Sequence, residues 1–257
     1  MTIDEVQKIS LANEVPVVAK RCGTSFSINK IKRISLQNEV PIIFDDTREI
    51  LVATLKKYKP KRILEIGGGM GYSGLVILST ATPQKFISIE KNEGRYLVLK
   101  NVIAEHGGVA IWDDAYNAMA KLLADGKKKP SYKQEIRGKQ EASDRNLPLQ
   151  MTERATKFDK VHRSLNDGKE MDFVFLDGPK GQYGKYFGLI HKLLSHGGVI
   201  FADNINFHGM VDGSLPTTTG ARSIVNGLRD FVAKLEQYKY DIERLPDGDG
   251  IIIARKN

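Results

Sequence analysis

The segment RILEIGGGMGYSG, residues 62–74, constrains the fold more than any other. A short apolar run passes without a spacer into glycines, and the glycines pass into the helical spacing of LVILSTA. A strand that turns directly into a helix reaches its next partner strand only by crossing over, and the two then pair in parallel. The chain repeats this move. KFISIEK (85–91) reads as a strand and NEGRYLVLKNVIAEHG (92–107) as a helix closed by glycine. VAIWDD (109–114) precedes the helix AYNAMAKLLADG (115–126). MDFVFLDG (171–178), the helical QYGKYFGLIHKLLSHGG (182–198) and the strand VIFADNI (199–205) continue the rhythm. DDTREILVATLKKY (45–58) opens with cap-type residues and continues at helical spacing. After the helix SIVNGLRDFVAKLEQ (223–237), the strands YDIERLP and GIIIARK flank the turn DGDG (247–250) and read as a hairpin. The expectation is an α/β chain with seven strands, mostly parallel, helices on both faces and an antiparallel hairpin at the C-terminus.

Two segments depart from the alternation. KISLANEVPVV (8–18) and RISLQNEVPII (33–43) are near-duplicates, each read as a short helix followed by an extended Val-Pro segment. Residues 1–44 are therefore expected to form a helical extension, and 45–257 the main domain. Residues 126–165 are polar and basic, too long for an ordinary connection, and expected to be an insertion. A solvated loop and a basic arm reaching for phosphates, with KKKPSYK in it, are both open readings. The formal charge of +8 allows an anionic partner without requiring one. A single cysteine, Cys22, excludes an intrachain disulfide and fits a reducing compartment. No secretory leader or apolar run of membrane-spanning length is seen, so a soluble cytoplasmic protein with no membrane partner is expected.

The glycine turn satisfies G-x-G-x-x-G at Gly69, Gly71 and Gly74, as in dinucleotide sites. Read from Glu65, it also satisfies E-x-G-x-G-x-G, which suits S-adenosylmethionine (SAM). Free N–H groups at a helix start accept a pyrophosphate or an amino-acid carboxylate equally well. An acid ending the next strand, Glu90, receives ribose hydroxyls in either case. Glu65 near a methionyl amine, a Ser73 hydroxyl for the methionyl carboxylate, and WDDA (112–115) beside an adenine favour SAM. Asp113 and Asp114 are equally readable as caps of the next helix.

The chemistry-bearing residues lie downstream. FVFLDGPKGQYGKYF and GGVIFADNINFHG each carry an apolar strand straight into polar oxygens: Asp177 in the first, Asp203 and Asn204 in the second. Ligands of parallel sheets gather at those strand ends. Two carboxylates and an amide are hard oxygen donors of the kind Mg²⁺ takes. Lys180, three residues past Asp177, is expected to have a lowered pKa beside a cation and to accept a proton from a hydroxyl. Helix capping by the two aspartates and a solvated lysine are the plainer alternative.

The pair D-x-x-K and strand-Asp-Asn resembles the cation-dependent class I O-methyltransferases, which include the catechol and caffeoyl-CoA O-methyltransferases. Within that group, NEVPII…TREIL…KPKRILEIGGGMGYS, DGPKGQYGKYF and LPDGDGIIIARK are most similar to the bacterial tRNA 5-hydroxyuridine methyltransferases. The resemblance implies a Rossmann-like class I methyltransferase fold. It implies metal ligation by Asp177, Asp203 and Asn204, and SAM contacts from Ile43, Gly67, Ser73, Glu90, Asp114, Ala115 and Asp177. It further implies Mg²⁺, a tRNA substrate bound through its anticodon region, and a homodimer. The implied reaction is methylation of the wobble 5-hydroxyuridine to 5-methoxyuridine. A catechol presents the same two adjacent oxygens, so a small-molecule O-methyltransferase stays open. Asp113, where the family has glycine, and Gly178-Pro179 after the metal aspartate depart from the family pattern.

Overall fold

The structure, a computed structural model, describes residues 26–124 and 170–257. The first copy of the duplicated segment, Cys22 and the 126–165 stretch lie outside the described residues.

The described chain opens with helix α1 (Ile28–Gln37), started by Ser27, whose hydroxyl accepts a bond from Lys30 N. An extended Val40–Phe44 segment leads to α2 (Asp45–Tyr58). Its first turn carries Asp45 and Asp46 and its last turn Lys56 and Lys57, the polarity that complements a helix dipole. The cap position itself is Phe44, not an aspartate as the sequence pattern suggested. Then follow β1 (Arg62–Ile66), α3 (Tyr72–Ala81), β2 (Lys85–Glu90), α4 (Glu93–Ala104), β3 (Val109–Trp112) and α5 (Ala115–Ala124). Beyond residue 170 come β4 (Met171–Leu176), a 3₁₀ turn (Lys180–Gln182), α6 (Tyr183–Leu193) and β5 (Leu194–Ala202). The chain ends with α7 (Arg222–Gln237), β6 (Asp241–Leu245) and β7 (Ile251–Arg255).

The seven strands form one sheet in the order β3-β2-β1-β4-β5-β7-β6. The first five are parallel, and β7 runs antiparallel to both β5 and β6, as expected for the closing hairpin. Strand side chains alternate between two cores. Ile63, Phe173, Phe175, Val199 and Phe201 pack with α1 to α4, whereas Leu64, Ile66, Val174, Leu176 and Ile200 pack with α5 to α7.

One boundary differs from the sequence reading. The helix expected to run to residue 198 stops at Leu193, and β5 begins at Leu194. The register explains this. Met171 faces Leu194 but Phe173 faces Val199, so the SHGG stretch bulges out of the β4 ladder. Its backbone is claimed by the C-terminus instead: Gly197 N donates to Lys256 O and Lys256 N donates to Gly198 O, both at 2.9 Å. The Lys256 ammonium also donates to the carbonyls of His191 and Leu194, which closes the end of α6.

The buried aromatic layer carries much of the stability. Phe175→Ala is expected to lower the unfolding free energy by about 3–5 kcal/mol. Leu36→Ala, at a side chain 57% exposed, is expected to change it by less than about 0.5 kcal/mol. Urea titrations of the two variants check the contrast.

Candidate active site

Strand β1 leaves the sheet at Gly67, and the turn that follows is held by backbone. Gly67 N and Gly68 N both donate to Ile89 O on β2, at 2.9 and 3.1 Å. Gly67 has φ +95°, and a Cβ there would overlap the Asp177 carbonyl on the adjoining strand end. On the other side, Glu90 clips the loop: one carboxylate oxygen accepts from Gly69 N (2.9 Å) and the other from Asn92 N (2.7 Å). Each oxygen keeps a further lone pair for a ligand hydroxyl.

A cavity of about 390 Å³ opens over these strand ends. It has the size of a small-molecule site and lies where the strand order reverses between β1 and β4. Gly67, Glu90, Asp114, Ala115, Asp177, Lys180, Asp203 and Asn204 all line it. Asp114 also does the capping work that was its plainer reading. Its side chain accepts from Tyr116 N at 3.0 Å while its carbonyl accepts from Ala118 N at 2.9 Å. Asp113 pairs with Lys121 at 3.0 Å.

Three expected cofactor residues do not line the cavity. Ile43 is 4% exposed and belongs to the core beneath α1 to α4. Glu65 is fully buried on that same side of the sheet, where the hydroxyls of Ser73 (2.6 Å) and Ser88 donate to its two oxygens. The Ser73 hydroxyl is therefore committed to Glu65. The alternation of β1 places Glu65 under α3, away from the cavity, so its part is to brace the glycine turn. Burial, against the pull of the two hydroxyls, pushes its pKa up to about 7.

Asp177 and Lys180 form an ion pair at 2.6 Å, both largely buried. Sequence reasoning assigned no role to Tyr183, which organises this pair. Its hydroxyl is fully buried, donates to Leu176 O (2.9 Å) and receives Lys180 Nζ at 3.1 Å. The Asp203 carbonyl lies 3.3 Å from the same hydroxyl, so Tyr183 brackets the ends of β4 and β5. The Lys180–Tyr183 spacing of three, one helical turn, was the available signal. The low Lys180 pKa was expected for a site holding a cation; in the protein alone the balance runs the other way. Burial lowers the pKa, but the Tyr183 oxygen and then the Asp177 and Asp203 carboxylates more than reverse this, and the amine is held protonated above the usual lysine range.

Asp203 is 1% exposed. Burial and the neighbouring Asp177 push its pKa up to about 7, against the opposing pull of Lys180. Among the described residues, no group of three or more His, Cys, Asp or Glu is arranged to hold a metal. The third oxygen group here is the Asn204 amide. Two carboxylates beside an amide in one cavity fit a hard divalent cation in type and charge.

A family model described as O-methyltransferase matches residues 139–257. The chain is 28% identical over 218 residues to a caffeoyl-CoA O-methyltransferase of Zinnia elegans, covering 82% of this chain and 74% of the relative. It is 36% identical over 101 residues to a Mesembryanthemum crystallinum caffeoyl-CoA O-methyltransferase, covering 37% of this chain and 39% of that relative. The O-methyltransferase of Bacillus cereus solved with S-adenosylhomocysteine (SAH) superposes with a TM-score of 0.63 at 17% identity, covering 100% of both chains. The O-methyltransferase TomG of Streptomyces achromogenes, solved with SAM, gives 0.63 at 19% identity, covering 94% and 92%. The fold is that of the class I O-methyltransferases. The family model and the sequence relatives are likewise O-methyltransferases by description.

The raised Glu65 pKa has a consequence for stability. Below about pH 4.5 the carboxyl is protonated in folded and unfolded chains alike. Between 4.5 and about 7 the unfolded chain gives up a proton that the folded chain keeps, so stability falls as pH rises and levels off above. Glu65→Gln is expected to remove this decline, and to gain up to about 3 kcal/mol relative to the wild type between pH 4.5 and 8. Urea unfolding of both proteins across that range measures the difference.

Proposed function

We propose that the chain methylates a ring hydroxyl using SAM, with the 5-hydroxyl of the tRNA wobble 5-hydroxyuridine as acceptor and 5-methoxyuridine as product. The observation that carries the methyl-transfer reading is a single cavity. In it the Gly67, Glu90 and Asp114 side opens directly onto Asp177, Lys180, Asp203 and Asn204.

When bound, SAM supplies an electrophilic methyl on a sulfonium, and Mg²⁺ supplies a Lewis acid that lowers a hydroxyl's pKa. Asp177, Asp203 and Asn204 would hold the cation. Glu90 would receive the ribose hydroxyls, and the glycine turn, whose Gly67, Gly68 and Gly69 N–H groups are taken by Ile89 and Glu90, would let the cofactor approach the backbone closely. Lys180, fixed as an ammonium by Asp177 and Tyr183, places positive charge beside the ionising hydroxyl. That charge would stabilise the oxyanion. In such a transfer the acceptor oxygen would take the methyl from the sulfonium, giving a methyl ether and neutral SAH, with the hydroxyl proton passing to solvent water.

The net charge of +8 and the KGQY and LPDGDG segments support the tRNA acceptor. The matched caffeoyl-CoA O-methyltransferases support the second reading, a small catechol-like acceptor.

Nucleoside mass spectrometry of tRNA incubated with the protein, SAM and Mg²⁺ tests the proposal. Appearance of 5-methoxyuridine, abolished by EDTA and in Asp203→Ala while SAH affinity is kept, is the expected result. Turnover of free catechols with unchanged tRNA would establish the second reading, and full activity in EDTA would remove the cation. Lys180→Ala is expected to lower kcat at least about tenfold with a smaller rise in KM, since its charge matters most as the oxyanion develops.

A further inference from the structure

Phe44 is out of place for a structural residue. It occupies the cap position of α2, where Ser, Thr, Asp or Asn is favoured, and makes no capping bond. Its side chain is not in the core either: it is 57% exposed and lines the cavity. A large aromatic ring that neither caps nor packs, at the rim of a ligand cavity, breaks a local rule in the way functional positions do.

The hairpin tip fixes what this ring faces. Gly248 N donates to Asp46 Oδ2 at 2.9 Å, tying the β6–β7 tip to the first turn of α2. Gly248 has φ +63°, and the point where a Cβ would sit is 3.6 Å from Phe44 Cδ2 and 3.9 Å from Asp203 Oδ1. The same point is 2.6 Å from Thr47 Oγ1, so only glycine fits there. Phe44 and the Asp203 carboxylate thus lie close to one another across the Gly248 backbone. A flat ring lying on Phe44 would direct its substituent oxygens toward Asp203, with Asp177 and Asn204 beyond it on the same cavity wall. An aliphatic alcohol would gain little from such a surface, whereas a planar π system gains stacking energy.

We propose that Phe44 is the residue on which the acceptor ring stacks. This rests on the methyl-transfer reading above. On this reading the contribution of Phe44 is to the acceptor and not to the cofactor.

The test measures binding to wild type, Phe44→Ala and Phe44→Trp by calorimetry with Mg²⁺ present. SAH is titrated first. 5-Hydroxyuridine and 3,4-dihydroxybenzoate are then titrated into the SAH-loaded proteins. The expected result is unchanged SAH affinity in all three proteins, a tenfold or greater loss of ring-compound affinity in Phe44→Ala, and retention within about threefold in Phe44→Trp. Equal ring-compound affinity in wild type and Phe44→Ala overturns the stacking role, as does a protein that binds SAH but neither ring compound. Either of those results leaves the methyl-donor reading standing. A wild-type protein that does not bind SAH removes the methyl-transfer reading, and the stacking role falls with it.

Discussion

The backbone seam between β1 and β4 carries on past the end of the sheet. Asp177 N donates to Ile66 O at 3.0 Å, and Asp203 N donates to Leu176 O at 3.1 Å, so three strand ends stay in register as they leave the core. Gly67 permits this, since any side chain there would run into the Asp177 carbonyl. The donor-side turn and the acceptor-side carboxylates are therefore adjacent because the backbone holds them so. A group bound at the glycine turn and a group bound at Asp177 and Asp203 lie side by side, which is the proximity a displacement reaction needs.

On that frame the polar groups divide into supports and working residues. Glu65, Ser73 and Ser88 form a closed buried set under α3, and Tyr183 forms another under the ends of β4 and β5. Neither set needs a ligand to satisfy its main hydrogen bonds. Both hold carboxylate or hydroxyl groups in costly burial, a cost offset by fixing the turn above each one. Asp177 and Lys180 stand between the two roles. They satisfy each other in the absence of ligand, yet both face the cavity.

The alternation of apolar runs with helical spacing was enough to read the seven strands and their mixed direction, because a strand buried on both faces leaves an unbroken Val/Ile/Phe run. The convergence of Asp177, Asp203 and Asn204 was legible for a related reason: each follows directly on such a run, and parallel strands end together. What escaped the sequence depends on contacts between distant segments or on which face a side chain takes. The bond between Gly248 and Asp46 joins residues 202 positions apart, and no local pattern announces it. The bonds of Glu65 to Ser73 and Ser88 under α3 depend on alternation within β1 and on a residue of β2, which the strand-end position alone does not announce. For Lys180 the metal-site reading weighed a cation and burial; the protein itself adds the buried tyrosine oxygen and a second carboxylate, neither of which a local pattern shows. The β5 boundary was missed because the bulge at 195–198 is set by pairing with the C-terminal residues.

The charge on the cavity runs against the charge on the chain. The chain as a whole carries +8. The cavity is lined by Glu90, Asp113, Asp114, Asp177 and Asp203 against Lys91, Arg95 and Lys180. Acidic groups thus outnumber basic ones where the ligands would sit. An acidic cavity is poorly suited to a phosphate-rich polymer but well suited to a sulfonium, an amino-acid ammonium and a divalent cation, all positive. A polyanionic acceptor would then be held by surface outside the cavity, with only its uncharged ring entering. Attraction to the polymer and recognition of the ring are in that case separate tasks. The first falls to the basic surface and is weakened by salt. The second falls to the uncharged rim of Val40, Pro41, Ile42 and Phe44.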